Sequence, residues 1–574
     1  MRDPKQQTVP RRAAFALGLV LATLGIASAE ERGKLVQVGQ DFSTDPGWEG
    51  VTNRVECGDC PTITQDFGWS PTTHAATSPG EIGGVIWRST TPAWYAMPFG
   101  QPLSFTNSFS ASGSIAVMPG SHAEAYFGFF GSERPGWRMW SSLAVRLMPW
   151  NSGALQVDYK TGLGKSGMQE PPIFLKPDGK VHRWGLAYES EARPGLKWPE
   201  ERMRTWLERN WRSESNLLAR AQQDMPDLSL DRLRELLAQA SEQGLVENWN
   251  RKGRELHWAL TDSPQQWKGR ITFSLDEERA TFYLLPGHAD EPARIDRFGI
   301  FNEQIYSGRS EFYLADVVVN GHAIDLRHDP HWEGRGNRVT FVERDFHERQ
   351  NFGYSETHWA GAAPGEIGGK FWSTEPEDPY HGFYADDIGE LTLEDPLEFA
   401  GSVCFVDGAP DAQMMLGYFN RREKLAPIEG ETNGHPLNQS LGIQVADTTR
   451  IGYWFNGFAS ARRELAQRVK GPIFIPDRAR RKFHFQYDPK AGIAGRVTVA
   501  LDGQSFGFDL TPEQRRVGAT FDRFGLVNVR RGGKYNVIYF DDLTYTARRV
   551  AGQPPARFKQ EIVTMPYPRG GRKY

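Results

Sequence analysis

The chain has 574 residues and a net charge of −4, with 67 basic against 71 acidic side chains. That balance carries no electrostatic footprint for nucleic acid or for an anionic lipid surface. Three cysteines exclude a disulfide scaffold, while 60 glycines, 37 prolines and 12% aromatics point to an all-β chain with many turns.

Residues 1–29 read as a secretory signal. Arg2, Lys5, Arg11 and Arg12 form a basic leader, Ala13 to Ile26 is an apolar run too short to span a bilayer, and Ala27-Ser28-Ala29 fits the small-residue cleavage rule. Removing its +3 leaves the remainder at −7. No later stretch is long and apolar enough for a membrane helix, so the expected location is secreted or periplasmic. Cys57-Gly-Asp-Cys60 lies in a turn-rich loop and reads as a local disulfide staple; Cys404, in an apolar run, reads as a buried free thiol.

The chain then repeats itself. Asp45-Pro-Gly-Trp-Glu-Gly-Val-Thr-Asn-Arg54 returns as Asp329-Pro-His-Trp-Glu-Gly-Arg-Gly-Asn-Arg338, and Pro79-Gly-Glu-Ile-Gly-Gly84 returns as Pro364-Gly-Glu-Ile-Gly-Gly369. Ile295-Asp-Arg-Phe-Gly299 returns as Phe521-Asp-Arg-Phe-Gly525. Such self-similarity sets the fold unit. Gly269 to Asp276 and Gly495 to Asp502 alternate apolar and polar residues, the period of a half-buried strand. Tyr188 and Tyr487 lie 299 residues apart, but Gly269 and Gly495 only 226, so the first copy holds 73 extra residues.

Within that window Met203, Trp206, Leu207 and Trp211 have helical spacing, and Ser229 caps a second helix carrying Leu230, Leu233, Leu236 and Leu237. A third short helix is expected between Val246 and Trp258. The division is therefore a first sandwich over 30–325, with a helical insertion at about 192–266, a second over 326–549, and a loose tail over 550–574.

Each copy ends with a strand, Asp-Arg-Phe-Gly, a turn and a long closing strand such as the one ending in Tyr539-Phe-Asp-Asp542. This order resembles the concanavalin A-like lectin/glucanase superfamily. The resemblance implies two tandem jelly-roll β-sandwiches, the first with a helical insertion, and glycan binding on the concave sheet and its rim loops. Hydrolytic members carry Glu-x-Asp-x-x-Glu on a concave strand. Glu343-Arg-Asp345-Phe-His-Glu348 matches those letters, but its polar intervening residues do not read as a strand, and it is set aside.

Polar and aromatic residues kept in both copies are the expected site. Glu, Asn and Arg can bind paired sugar hydroxyls, and aromatic faces can stack on the apolar face of a sugar ring. The ligand set is Trp48, Asn53, Arg54, Trp87 and Tyr95, with Trp332, Asn337, Arg338, Trp372 and Tyr384. The same Trp-Glu-Gly-x-x-Asn-Arg pattern also suits a structural corner in which Glu pairs with Arg and Asn bonds loop backbone. If the protein cleaves polysaccharide, Glu81 or Glu366 would be the acid/base, with Glu49 or Glu333 as second carboxylate about 5–9 Å away. Asp316 and Asp542 read as structural, and calcium there would lack further oxygen ligands, so no cofactor is expected. The leading expectation is a secreted polysaccharide-binding protein. A glycoside hydrolase or polysaccharide lyase, and a surface scaffold or adhesion protein docking a protein partner through the helical insertion, are the alternatives.

Overall fold

The computed structural model describes residues 33–149, 153–169, 171–193, 203, 217–242, 246–250, 256–260, 268–285, 287–305, 308–346, 349–373, 382–409, 412–422, 438–448, 452–528, 534–552 and 554–567. The chain is all-β as expected: four large sheets enclose two separate apolar cores.

In the first sandwich the back sheet runs, in spatial order, Glu278–Leu284, Lys268–Leu275, Val181–Glu189, Phe109–Val117, Arg309–Val319, Glu81–Trp87, Thr62–Ser70 and Arg338–Val342. Its front sheet runs Ser166–Met168, Ala154–Lys160, Ser142–Met148, Ala125–Phe130, Ile295–Asn302, Trp94–Leu103 and Glu333–Arg335. The second sandwich repeats the plan. Its back sheet holds Glu366–Trp372, Tyr535–Arg549, Leu397–Gly408 and Arg480–Asp488, and its front sheet holds Phe383–Thr392, Thr520–Asn528, Gln413–Phe419, Ser440–Thr448 and Gly452–Ser460. Glu81–Trp87, Trp94–Leu103, Phe109–Val117 and Ala125–Phe130 alternate between the back and front sheets, the wrap of a jelly roll. Strand alternation explains the packing: in Lys268–Leu275 the buried Ile271, Phe273 and Leu275 face one core, as Val497, Val499 and Leu501 do in Arg496–Leu501.

The sheets place the unit boundary elsewhere than residues 325/326. Strand Lys34–Gln40 pairs antiparallel with Leu543–Arg549 of the second sandwich, and Glu49–Val51 pairs with Phe383–Ala385. Reciprocally, Glu333–Arg335 pairs with Trp94–Ala96 and Arg338–Val342 with Thr62–Asp66 of the first. The cores agree: Phe42 and Trp48 pack with the second, Leu326 and Trp332 with the first. A repeat has a period but no marked origin, so its first letter need not be the first residue of a unit.

The expected loose tail is docked as far as Tyr567. Val563–Met565 forms a parallel ladder with Val55–Cys57, the one such ladder among the described residues, and Gly58 N–H donates to the Met565 carbonyl at 2.8 Å. Cys57 and Cys60 are disulfide-bonded, and Cys404 is a buried free thiol.

The insertion has its own core of Leu217, Ala221, Met225, Leu233, Leu236, Leu237, Ala240 and Val246, with Met203. Helices Leu217–Asp224 and Leu230–Glu242 match the sequence reading, and Ser229 Oγ accepts from Arg232 N–H at 3.2 Å. Trp206, Leu207 and Trp211 lie outside the described residues. The expected third helix is instead a hairpin of Val246–Asn250 and Leu256–Leu260. Lys252-Gly253 between two short runs containing Trp is a turn signal that outweighs the apolar spacing.

Candidate functional site

The residues kept in both copies form two corners, one on each sandwich. In the second sandwich Trp48 is buried against Tyr384 with ring centroids 5.6 Å apart, and the Tyr384 hydroxyl donates to Asp45 at 3.0 Å. Asn53 Nδ2 donates to the Phe352 carbonyl at 2.6 Å, and Arg54 Nη2 to the Tyr354 carbonyl at 2.5 Å. Glu49 meets Arg523 of Asp-Arg-Phe-Gly at 2.7 Å. The first sandwich repeats this with Trp332 on Tyr95 at 5.8 Å, Asn337 to Phe67 O at 2.7 Å, Arg338 to Trp69 O at 2.6 Å, and Glu333 to Arg297 at 2.7 Å. Burial, with the Asp45 and Asp329 carboxylates, raises the Tyr384 and Tyr95 hydroxyls well above their ordinary range.

These contacts correct the expected ligand set. Trp48, Asn53, Tyr95, Trp332, Trp372 and Tyr384 are buried rather than open to a sugar. Arg54, Asn337 and Arg338 are bonded to the backbone they hold. Trp372 packs on Tyr535 at 5.0 Å, and the Gln65 side-chain amide donates to the carbonyl of half-buried Trp87 and accepts from its N–H, each at 2.8 Å. The expected pairing of Glu49 with Arg54 is replaced by Arg523, and Glu49 and Glu81 belong to different sandwiches.

Glu81 and Glu366 are fully buried and hold loops. Glu81 accepts from the Thr72 hydroxyl, from His74 N–H at 3.0 Å and from Ala75 N–H at 2.7 Å. Glu366 accepts from Thr357 at 2.5 Å, Trp359 N–H at 2.9 Å and Ala360 N–H at 2.7 Å. Three donors engage each carboxylate, which leaves neither placed as an acid/base. The surrounding glycines have a mechanical cause. Gly80 and Gly365 lie at φ +108 and +111, and a Cβ would come within 1.8 Å of Leu326 O and 1.9 Å of Phe42 O. Asp316 and Asp542 occupy left-handed positions at back-sheet bulges and pair with Arg183 at 2.8 Å and Lys482 at 3.2 Å. Glu343 and Asp345 follow strand Arg338–Val342 in an irregular segment, and Glu348 lies outside the described residues.

A different set of residues lies on the outer faces of the two front sheets. In the first, Leu143, Val145 and Leu147 face the core, so Arg146 faces out, in register with Tyr126 and Gln156. The segment 134–140 covers this face. Arg138 meets Asp158 at 2.8 Å, Trp137 Nε1 donates to Glu303 at 2.9 Å, and Lys160 lies 4.7 Å over Trp140. Arg88 bridges Glu124 at 2.7 Å and Glu303 at 3.0 Å, and Arg146 meets Glu124 at 2.9 Å. Burial opposes ionisation of Glu124, but Arg88 and Arg146 overcome it and hold the carboxyl down at about 2. Burial and the Glu124 charge push Glu303 the other way. The network continues across the junction. Arg134 donates to Pro476 O at 3.0 Å, and Ile305 packs with Trp372, Ala409 and Tyr535.

The corresponding row of the second front sheet is Met415, Gln444 and Asn456, with Gln413 one step along and Arg468 on the next strand. Here amides replace charges. Gln444 Nε2 donates to Gln413 Oε1 at 3.0 Å, and Arg468 Nη1 donates to Gln444 Oε1 at 3.3 Å. Among the described residues Asn456 Oδ1, Ser460 Oγ and the indole Nε1 of half-buried Trp454 have no hydrogen-bond partner. Lys470 Nζ stands 5.1 Å over the Trp454 ring. Gln413, Gln444, Asn456 and Ser460 are no more open than the corner residues, at 2% exposure or less. Unpaired buried polar atoms cost free energy, so this row, beside half-buried Trp454 and exposed Lys470, is a candidate buried ligand site rather than an open face.

No protein-family model and no curated protein matches the chain. Similar solved structures include the mouse laminin alpha1 chain, domains LG4-5, at 10% identity over 86% of this chain and 98% of that one, with TM-score 0.22. The Emp47p carbohydrate recognition domain is 12% identical over 35% of this chain and 89% of its own, at TM-score 0.22. The endo-beta-1,4-glucuronan lyase of the fungus Trichoderma reesei is 9% identical over 35% and 88%, at 0.23. Likeness at those TM-scores carries no functional argument.

Proposed function

We propose that the protein is an exported polysaccharide-binding protein whose binding face is the outer side of the second front sheet. The observation that carries this reading is the row Gln413, Gln444 and Asn456 with Ser460 and Trp454, in which three polar atoms lack partners among the described residues. The amides and Ser460 are at most 2% exposed, so a sugar would have to enter past half-buried Trp454. Primary amides both donate and accept, which matches vicinal sugar hydroxyls, and an indole offers a face for a ring. The first front sheet is read as a structural counterpart, because its own side chains occupy it with ion pairs. The leader sequence and the Cys57–Cys60 disulfide support an oxidising compartment. No helix among the described residues is long and apolar enough to cross a membrane.

The test is retention on a panel of immobilised polysaccharides. The expected result is retention of the unaltered chain, loss on Asn456→Ala or Trp454→Ala, and no new reducing or unsaturated ends. Release of such ends would replace binding with cleavage. Retention that survives both substitutions would move the site elsewhere.

A further inference from the structure

The two sandwiches are completed in different ways. In the first, segment Leu326–Val342 follows shortly after its last back-sheet strand, Arg309–Val319, and folds back onto the same unit. In the second, the last back-sheet strand, Tyr535–Arg549, runs on into the tail. The missing piece arrives from the segment ahead of the first sandwich: Lys34–Gln40 supplies seven backbone pairs, Trp48 enters the core, and Glu49, Asn53 and Arg54 lock the corner. The second unit is thus closed by a strap that precedes the first in sequence and whose connector runs alongside residues 343–351.

We infer that this strap is exchangeable, and that the second sandwich of one molecule can be completed by the Lys34–Arg54 segment of a second copy of the chain. The receiving surface is the edge of strand Tyr535–Arg549 together with Tyr384, Arg523 and the Phe352 carbonyl. Every contact that seats the strap is the same whichever copy donates it. Only the local concentration set by the connector favours the strap's own chain. That connector is short and partly docked: Val55 is buried and Val55–Cys57 pairs with Val563–Met565, whereas Gly58 and Asp59 are exposed and Pro61 leads directly into strand Thr62–Ser70. The first sandwich shows that the corner is a self-contained lock. The equivalent Trp332, Glu333, Asn337 and Arg338 make the same set of contacts from a segment connected differently. The product is a reciprocal pair in which each copy closes the other.

Gln37 Nε2 donates to Thr546 Oγ1 at 3.0 Å across the strap, which supplies a direct reporter. Full-length Gln37→Cys and Thr546→Cys chains are denatured, mixed, refolded at about 1 mM, the range of effective concentration that a short connector provides, and then oxidised mildly. The expected product is a covalent heterodimer, with at least about tenfold less when the two chains are refolded separately before mixing. Adding Trp48→Ala to the Gln37→Cys chain should lower its yield about tenfold, since the donated strap then lacks its core anchor. The unsubstituted chain refolded at the same concentration should show twice the monomer mass by light scattering. The inference fails if neither the covalent heterodimer nor the doubled mass appears. It also fails if chains mixed after folding cross-link as well as chains mixed before, or if Trp48→Ala leaves the yield unchanged.

Discussion

The outer faces of the two front sheets share a backbone plan and differ in chemistry. Tyr126, Arg146 and Gln156 stand in register in the first, Met415, Gln444 and Asn456 in the second. One row is bridged by ion pairs with Glu124 and Asp158, its neighbours, although Arg146 Nε and Asp158 Oδ1 lack hydrogen-bond partners among the described residues. The other carries amide and indole atoms that lack them with no counter-charge. One face takes part in the junction between the halves, and the other is the face proposed to receive a ligand. A charge needs a counter-charge when buried, whereas an amide can serve a neutral polyol.

Substitutions should separate the faces, and the largest effect belongs to the first. Arg146→Ala leaves Glu124 and Glu303 short of a shared cation in a buried network, and should cost about 3–5 kcal/mol in urea unfolding without weakening polysaccharide retention of the folded fraction. Equal stability of Arg146→Ala and the parent would remove the structural role assigned to that face. Next come the loop glutamates. Glu81→Ala and Glu366→Ala each strand three donors and should lose about 2–4 kcal/mol apiece, similarly in the two halves because the contacts are the same. A loss of polysaccharide cleavage with unchanged stability would instead make them catalytic.

The junction also predicts a pH dependence. Burial pushes Glu343 up to about 7 from its ordinary 4.5. The folded state therefore holds the proton more tightly than the unfolded chain does. Stability from this group is greatest below pH 4.5, declines as pH rises to 7, and is flat above. Glu343→Gln should flatten that decline by about 2–3 kcal/mol, measured as the difference in unfolding free energy between pH 4.5 and pH 7.5. An unchanged slope would show that Glu343 is not the titrating group. The smallest stability effect belongs to the second face, where Gln444→Ala should change unfolding by about 1 kcal/mol yet weaken glycan retention.

The legible parts of the sequence were those that depend on periodicity. Alternation in Gly269–Asp276, the cap at Ser229 and the excess length before Gly269 all correspond to elements that are present. The phase of the repeat was not legible, because Trp48 and Trp332 carry the same neighbours and nothing local says which core each enters. Nor was the candidate site. Searching for residues kept in both copies selects what both folds need, such as Glu81 holding Ala75 N–H or Asn53 holding Phe352 O. The proposed ligand face lies where the copies differ, at Arg146 against Gln444 and Asp158 against Phe458. Alternating polar residues on those strands look like any solvated sheet face.

The most direct measurement is equilibrium binding of a retained polysaccharide to two variants at matched positions, Asn456→Ala in the second front sheet and Gln156→Ala in the first. The account predicts that Asn456→Ala weakens binding about tenfold while Gln156→Ala leaves the affinity of folded protein unchanged. The reverse pattern, or equal losses, would contradict the assignment of the ligand face to the second sandwich.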